Sequence, residues 1–301
     1  MVEFRDGGMF NPLAAGPYFE IDSEQVGGRF AISVSLPAAY HQTDEPLPVL
    51  YVTDGNVMGP LSGGVSFSFT LEKEAVVPCR PYVQVAIGYT AEDAAQMLSI
   101  RNRDLVPPGE PIAPSMYPYM RDHFGLPEGE MLDGAMDTFF ASYADGHGDR
   151  LLEFIKKELH PVIAEEFRID TNDVGFFGYS FGGLLALYAL GEGDGFFSRI
   201  GAGSPGILVD DSVVFPRYAD ALGKATPTHD LHLHISVNIH EMEGPVEAYR
   251  RLAIGSLRFL NLVKAEPLPG LRVTSEMLPG NDHEAGLIDA YRSFVRSSYR
   301  L

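Results

Sequence analysis

Residues 175–183 read GFFGYSFGG, and a single hydroxyl, Ser180, stands there between Gly178 and Gly182. A near-continuous apolar run, DVGFFGY, leads into it, and LLALYAL, of helical composition, leads away. A serine at a strand-to-helix corner is held in strained backbone angles with its Oγ exposed, and glycines two positions to either side remove the clashes that such a corner creates. The helix that follows points its free N–H groups and positive dipole end at the serine oxygen, which favours a developing oxyanion. The chemistry this predicts is nucleophilic acyl transfer. The plainer reading, Ser180 as a helix N-cap, accounts for the serine but not for the flanking glycines.

A serine hydroxyl is a poor nucleophile without a base and a group that orients the base. Of nine histidines, only His283, in LPGNDHEAG, follows the last strand-like segment and precedes a helix. In elbows of this kind the chain order is serine, acid, histidine, so the acid is expected just after the preceding strand, DLHLHISVN. Glu241 and Glu243 of IHEMEGP both fit, and Glu241, nearer the strand end, is preferred. Asp282 adjoins His283, and adjacent residues rarely achieve the required geometry.

A second oxyanion donor is expected from DGN at 54–56, after PVLYVT, where Gly55 lets the backbone approach a substrate and the amide of Asn56 joins that of Phe181. Tyr179, Tyr117 and Tyr119 are read as substrate contacts. His232 and His234 share one strand face, a spacing compatible with a metal, but no cysteine is near and packing under a helix is the commoner use of such residues. DGHGD at 145–149 lacks the alternating ligands of a calcium loop and is better explained as the start of a helix at Asp149. No metal or cofactor is expected.

These residues need a scaffold, and the rest of the chain predicts one. GRFAISVSLP (28–37) alternates like a strand, and PVLYVTDG and YVQVAIGY read as buried strands. FFSRIGAGSP, DLHLHISVN and GLRVTSEML supply further strands. Between them lie helical patterns: FSFTLEKEAVV, DRLLEFIKKELHPVIAEEF (149–167, with Pro161 as a possible kink), PVEAYRRLAIGSLRFLNLVKA and EAGLIDAYRSFVRSSYR. Strands joined by crossover helices predict a mostly parallel central sheet with helices on both faces, hence α/β class and one domain over 1–301. Residues 106–147, rich in Pro, Gly, Met and aromatics, are too long for an ordinary connection and read as an insertion, either a lid or pocket wall or a cluster closing the rim of the sheet.

Composition sets outer limits. Lys plus Arg number 22 against 41 Asp plus Glu, a formal charge of -19, so the average field repels polyanions and nucleic acid is not an expected partner. Glu3, Asp6, Asn11 and Pro12 interrupt what a signal peptide would need, no run approaches the ~18 apolar residues of a membrane span, and Cys79 is the sole cysteine. A cytoplasmic protein acting on a small molecule is the expectation; nothing specifies an oligomeric state.

DVGFFGYSFGGLLALYAL with FFSRIGAGSP resembles the core of the enterochelin esterase and esterase D-like group of α/β-hydrolases. PVLYVTDGN, VAIGY, RNRDLVP and GDRLLEFIKKELHPVI upstream, and NDHEAG downstream, match that group in order. The resemblance implies hydrolysis of an ester by Ser180, His283 and Glu241 through an acyl-enzyme. Relatives of this kind include siderophore trilactone esterases, S-formylglutathione hydrolases, feruloyl and acetyl xylan esterases and mycolyltransferases. After Ser204-Pro205 the chain reads GILV, where siderophore-type proteins often carry Ser and a nearby Trp, and it contains no Trp at all. An aromatic stacking platform for catecholate ligands is thus not expected; the apolar, bulky content of residues 106–147 predicts a small to medium ester as substrate, with a siderophore trilactone, an acyltransferase reaction and a non-catalytic binding role as alternatives.

Overall fold

Strands β1 (Tyr18–Ser23), β2 (Gly28–Ser35), β3 (Leu47–Val52), β4 (Val83–Tyr89), β5 (Ile169–Tyr179), β6 (Arg199–Gly203), β7 (Leu231–Asn238) and β8 (Leu271–Leu278) form one sheet in the order β1-β2-β4-β3-β5-β6-β7-β8. The computed structural model describes residues 16–59, 79–224, 230–280 and 282–300. The helix expected at FSFTLEKEAVV lies outside the described residues. β1/β2 and β2/β4 pair antiparallel and every other pair is parallel, so the mostly parallel α/β architecture is the one observed.

Every residue of β3 and β4 is buried, the physical reason their sequences read as continuous apolar runs rather than alternating ones. The pleat sends neighbouring residues to opposite faces. Val49, Tyr51 and Phe176 join one core, whereas Leu50, Val52 and Phe177 join another beneath the last helix. Phe177 stacks on Phe294 of that helix with ring centroids 5.5 Å apart, and truncation of Phe294 to Ala is expected to cost ~3–5 kcal/mol. The register of β3 against β5 shifts at Pro48, which has no N–H for the ladder.

The helices are α1 (Met97–Leu105), α2 (Met116–Phe124), α3 (Glu130–Ala144), α4 (Gly148–Phe154), α5 (His160–Glu166), α6 (Phe181–Leu190), α7 (Val214–Lys224), α8 (Ile239–Glu243), α9 (Glu247–Ala265) and α10 (Leu287–Ser298). A π-helical turn, Ile155–Leu159, joins α4 to α5. Pro161 cannot donate to the carbonyl four residues back, and the wider turn beside it absorbs the defect that the sequence predicted as a kink. Asp149 lies in the first turn of α4.

Residues 106–147 supply α2 and α3. Their N-terminal end is tied down by buried Glu110, whose Oε2 accepts from Ser212 Oγ at 2.9 Å and from the Val213 N–H at 3.0 Å. Among the described residues no helix is long and apolar enough to cross a membrane.

Candidate active site

The carboxyl ends of β3, β5, β7 and β8 deliver Asp54, Ser180, Glu241 and His283 to one edge of the sheet, where parallel α/β sheets place their sites. Ser180 has φ 58° and ψ -119°. A left-handed φ in a non-glycine residue costs ~1–3 kcal/mol and must be held by its surroundings. Here the Ser180 N–H donates to the Gly203 carbonyl at 3.0 Å, and its own carbonyl accepts from the N–H groups of Leu184 and Gly206, both at 2.9 Å. A Cβ on Gly178 would lie 2.1 Å from the Gly182 carbonyl oxygen, and one on Gly182 would lie 2.3 Å from Thr53 Oγ1. Only glycine fits at either position.

The imidazole of His283 meets this corner. Its Nε2 lies 3.0 Å from Ser180 Oγ and its Nδ1 lies 2.7 Å from Glu241 Oε1. Glu241 is 1% exposed, and a carboxylate so far from water is costly unless its oxygens are matched by donors. Oε1 accepts from Asn238 Nδ2 at 3.0 Å as well as facing His283. Oε2 accepts from Ser204 Oγ at 2.9 Å and from the Asn238 N–H at 3.2 Å. Asn238 and Glu241 form a capping box at the start of α8, a pattern written in the sequence as NIHE. The same bonds that begin the helix aim the carboxylate.

Tyr179 holds the histidine from below. Its hydroxyl donates to the His283 carbonyl at 2.5 Å and accepts from Asn238 Nδ2 at 2.7 Å. Burial, reinforced by the charge of Glu241, pushes this phenol well above its ordinary pKa, so it stays a donor. On the other side the ring of Tyr249 stacks on His283, with centroids 4.6 Å apart and planes at 27°.

Ser180 opens into a cavity of about 290 Å³. Met116, Met120 and Phe139 from residues 106–147 form one wall, Leu208 and Leu252 another, and Tyr119 and Arg101 are at its polar margin. Arg101 is engaged: its Nε and Nη2 contact Asp54 Oδ1 and Oδ2 at 2.5 and 3.0 Å. A separate cavity of about 380 Å³ lies beside Lys156, Glu192 and Arg217, where Glu192 pairs with both Lys156 and Arg217.

Other expected site residues fall differently. Phe181 is the first residue of α6, so its N–H has no intrahelical acceptor. Asn56 is pinned through its side chain, which donates to the Tyr89 carbonyl at 2.8 Å and accepts from the Tyr89 N–H at 2.7 Å, leaving only its backbone amide for other use. Gly55 is buried, and a Cβ there would lie 2.6 Å from the Ile87 carbonyl carbon. The missing side chain lets the loop pack on β4.

Tyr117 is placed away from the Ser180 cavity. It is 47% exposed, stacks on Phe140 at 4.1 Å and does not line the cavity. Glu243 is exposed, and Asp282 accepts from the Ala285 N–H at 2.9 Å rather than facing the imidazole. Both rings of the strand pair are engaged by hydroxyls: His232 by Thr274 and Ser298, His234 by Thr274 and Ser293. Tyr249, Ser204 and Asn238 were not anticipated; of the three, only Asn238 carried a sequence signal, the capping box.

Residues 139–232 match the family model described as "Putative esterase". The ferri-bacillibactin esterase of Bacillus subtilis is 29% identical over 218 residues, 69% of this chain and 67% of the relative. A siderophore enterobactin esterase of Emericella nidulans is 28% identical over 210 residues, 66% of this chain and 61% of the relative. The matched regions thus span about two thirds of those relatives. The crystal structure of an IroE-like serine hydrolase from Shewanella oneidensis superimposes with a TM-score of 0.70 at 20% identity, covering 94% of this chain and 80% of that one.

Proposed function

We propose, from the premise that the chain belongs to the enterochelin esterase-like family and is an esterase of α/β-hydrolase fold, that it hydrolyses small to medium carboxylic esters through Ser180, His283 and Glu241. His283 Nε2 takes the proton from Ser180 Oγ as the oxygen attacks the ester carbonyl. The amides of Phe181 and Asn56 stabilise the tetrahedral oxyanion, each donor of this kind contributing on the order of 10²–10³ in rate. Collapse expels the alcohol with the proton held by His283, and a water deprotonated by the same nitrogen cleaves the acyl-enzyme. Glu241 keeps the imidazole in the required tautomer and stabilises its cation.

The single observation that supports this most strongly is the continuous chain of contacts from Ser180 Oγ through His283 to Glu241, at 3.0 and 2.7 Å. A fluorophosphonate probe tests it: one adduct on Ser180 is expected and none in Ser180→Ala. An intact protein that stays unlabelled while a control hydrolase reacts would overturn it and leave a binding role. The apolar wall contributed by residues 106–147 supports reading that segment as a pocket wall of the same domain and favours short to medium acyl chains; p-nitrophenyl esters of graded length measure this. Added alcohols that accept the acyl group in place of water would point to acyl transfer.

A second reading, hydrolysis of a siderophore ester, is favoured by the names of the relatives above. Comparing kcat/KM for a trilactone siderophore, iron-free and ferric, with that for p-nitrophenyl butyrate decides between them. The cytoplasm is proposed as the place of action, where a lone cysteine such as Cys79 stays reduced.

A further inference from the structure

His283 lies in the turn 282–286, between β8 and α10. The bonds inside that turn are short in range: Asp282 accepts from the Ala285 N–H through Oδ1 at 2.9 Å and from the Gly286 N–H through its carbonyl at 3.1 Å. The two ring nitrogens face Glu241 and Ser180. Contacts of this kind direct the imidazole within its own plane but resist tilting weakly, because a hydrogen bond weakens steeply only when bent below ~120°.

Tyr249, on α9, supplies the missing restraint. Its ring lies against the face of the imidazole, with centroids 4.6 Å apart and planes at 27°, and its hydroxyl donates to Oε1 of the next residue, Glu284, at 2.7 Å. A phenol has one proton to give, so the Tyr249 oxygen must accept from the Tyr119 hydroxyl, 2.8 Å away. The chain therefore runs one way, from Tyr119 through Tyr249 to a carboxylate, an arrangement in which each bond polarises the next. Burial, with the neighbouring Tyr119 and Glu284, raises the pKa of the Tyr249 phenol, so the proton stays in place. Tyr119 comes from α2, which also lends Met116 and Met120 to the cavity wall. Residues 106–147, α9 and the turn that carries the base are thus joined at one point.

On the basis of the esterase reading, we propose that Tyr249 is a positioning residue for His283: its ring fixes the plane of the imidazole, and its bridge from Tyr119 to Glu284 fixes the turn that carries it. The reaction makes the demand. His283 Nε2 takes the proton of Ser180 Oγ as that oxygen bonds to the carbonyl carbon, then passes it to the alcohol oxygen as the bond to that oxygen breaks. The two oxygens cannot occupy one point, so a single ring must serve both without drifting, and a misplacement of about 1 Å can cost on the order of 10²-fold in rate.

Steady-state kinetics with p-nitrophenyl acetate and p-nitrophenyl butyrate test the assignment. Tyr249→Phe keeps the ring and loses the bridge, and kcat is expected to fall about fivefold for both esters with KM within about twofold. Tyr249→Leu also loses the stack and should lower kcat on the order of 10²-fold, with the labelling of Ser180 by a fluorophosphonate slowed in parallel, since that attack uses the same base. Tyr119→Phe should cost roughly twofold, and the double variant Tyr119→Phe, Tyr249→Phe no more than Tyr249→Phe alone, because both changes cut one chain. The Phe variants preserve volume and decide the matter if the Leu variant does not fold. An unchanged kcat in Tyr249→Phe, additive losses in the double variant, or losses confined to KM or to the butyrate, as a mere wall contact would give, overturn the proposal. If the parent cleaves neither ester and Ser180 takes no fluorophosphonate, the esterase reading itself has failed and the assignment falls with it.

Discussion

Among the described residues histidine is buried at His160, His232, His234 and His283, and the strand pair and His283 differ in what surrounds the ring. His283, on the loop after β8, has a buried carboxylate at one nitrogen and a half-buried serine at the other. His232 and His234, on β7 under α10, are bonded instead to Thr274, Ser293 and Ser298, and Arg272 Nη2 also donates to His232 Nδ1 at 3.0 Å. Burial, with Arg272 adding to it, lowers His232 to about 3, and burial lowers His234 to about 4 despite the charge of Glu276. A hydroxyl partner accepts or donates with either tautomer and leaves the ring neutral, whereas a carboxylate stabilises the cation that forms when a proton is taken up. Depth in the fold does not separate His283 from the strand pair; the partner at the second nitrogen does.

The largest effect that would break this contrast is at the corner serine. Ser180→Ala is expected to lower kcat for p-nitrophenyl butyrate by on the order of 10⁴-fold or more, with the fold retained by circular dichroism. Glu241→Gln comes next. It keeps shape but loses the charge and the acceptor at Nδ1, and a drop of roughly 10²–10⁴ in kcat with a smaller change in KM is expected. His234→Ala should do the opposite: activity within about threefold of the parent, and about 2–3 kcal/mol lost in urea unfolding because Ser293 and Thr274 lose their partner inside the protein. If instead it silences the enzyme while unfolding normally, the contrast is wrong.

Acidity sharpens the comparison. With folded values near 3 and 4 against an ordinary 6.5, the unfolded chain takes up protons at these two residues first. Stability tied to the pair is therefore complete above about 6.5 and falls as pH drops toward 4. A His232→Gln, His234→Gln variant should show a shallower loss between those values, whatever its stability at neutral pH.

The smallest effect is expected at Glu110, which burial raises from 4.5 to about 7. Here the folded state holds the proton more tightly, so stability is greatest below about 4.5 and declines as pH rises through 7. Glu110→Gln should flatten that decline, read as the pH dependence of the urea midpoint.

Much of this was legible along the chain. GYSFGG between an apolar run and a helix announced the corner, because the steric demands at Gly178 and Gly182 come from backbone only a few residues away or from the neighbouring strand end. The order of Glu241 and His283 followed from strand succession. Tyr117 and Tyr119 could not be told apart in the same way. Both belong to α2, yet one packs outward on Phe140 and the other bonds to Tyr249 on α9, and which face of that helix looks at Ser180 depends on elements more than 100 residues away. At Gly55 a glycine after a strand signals close approach, and only the assembled sheet shows that β4 is a neighbour it admits.

What composition and order determined by themselves were the alternation of strand and helix, the corner that exposes Ser180, and the sign of the protein's field, because each depends on local periodicity, local sterics or a plain sum of charges. Tertiary structure alone decided that Glu241 rather than Glu243 faces His283, that Asp54 engages Arg101, and that Tyr249 stacks on His283. Those outcomes rest on distances between segments far apart in the chain, and such distances exist only once the sheet has assembled.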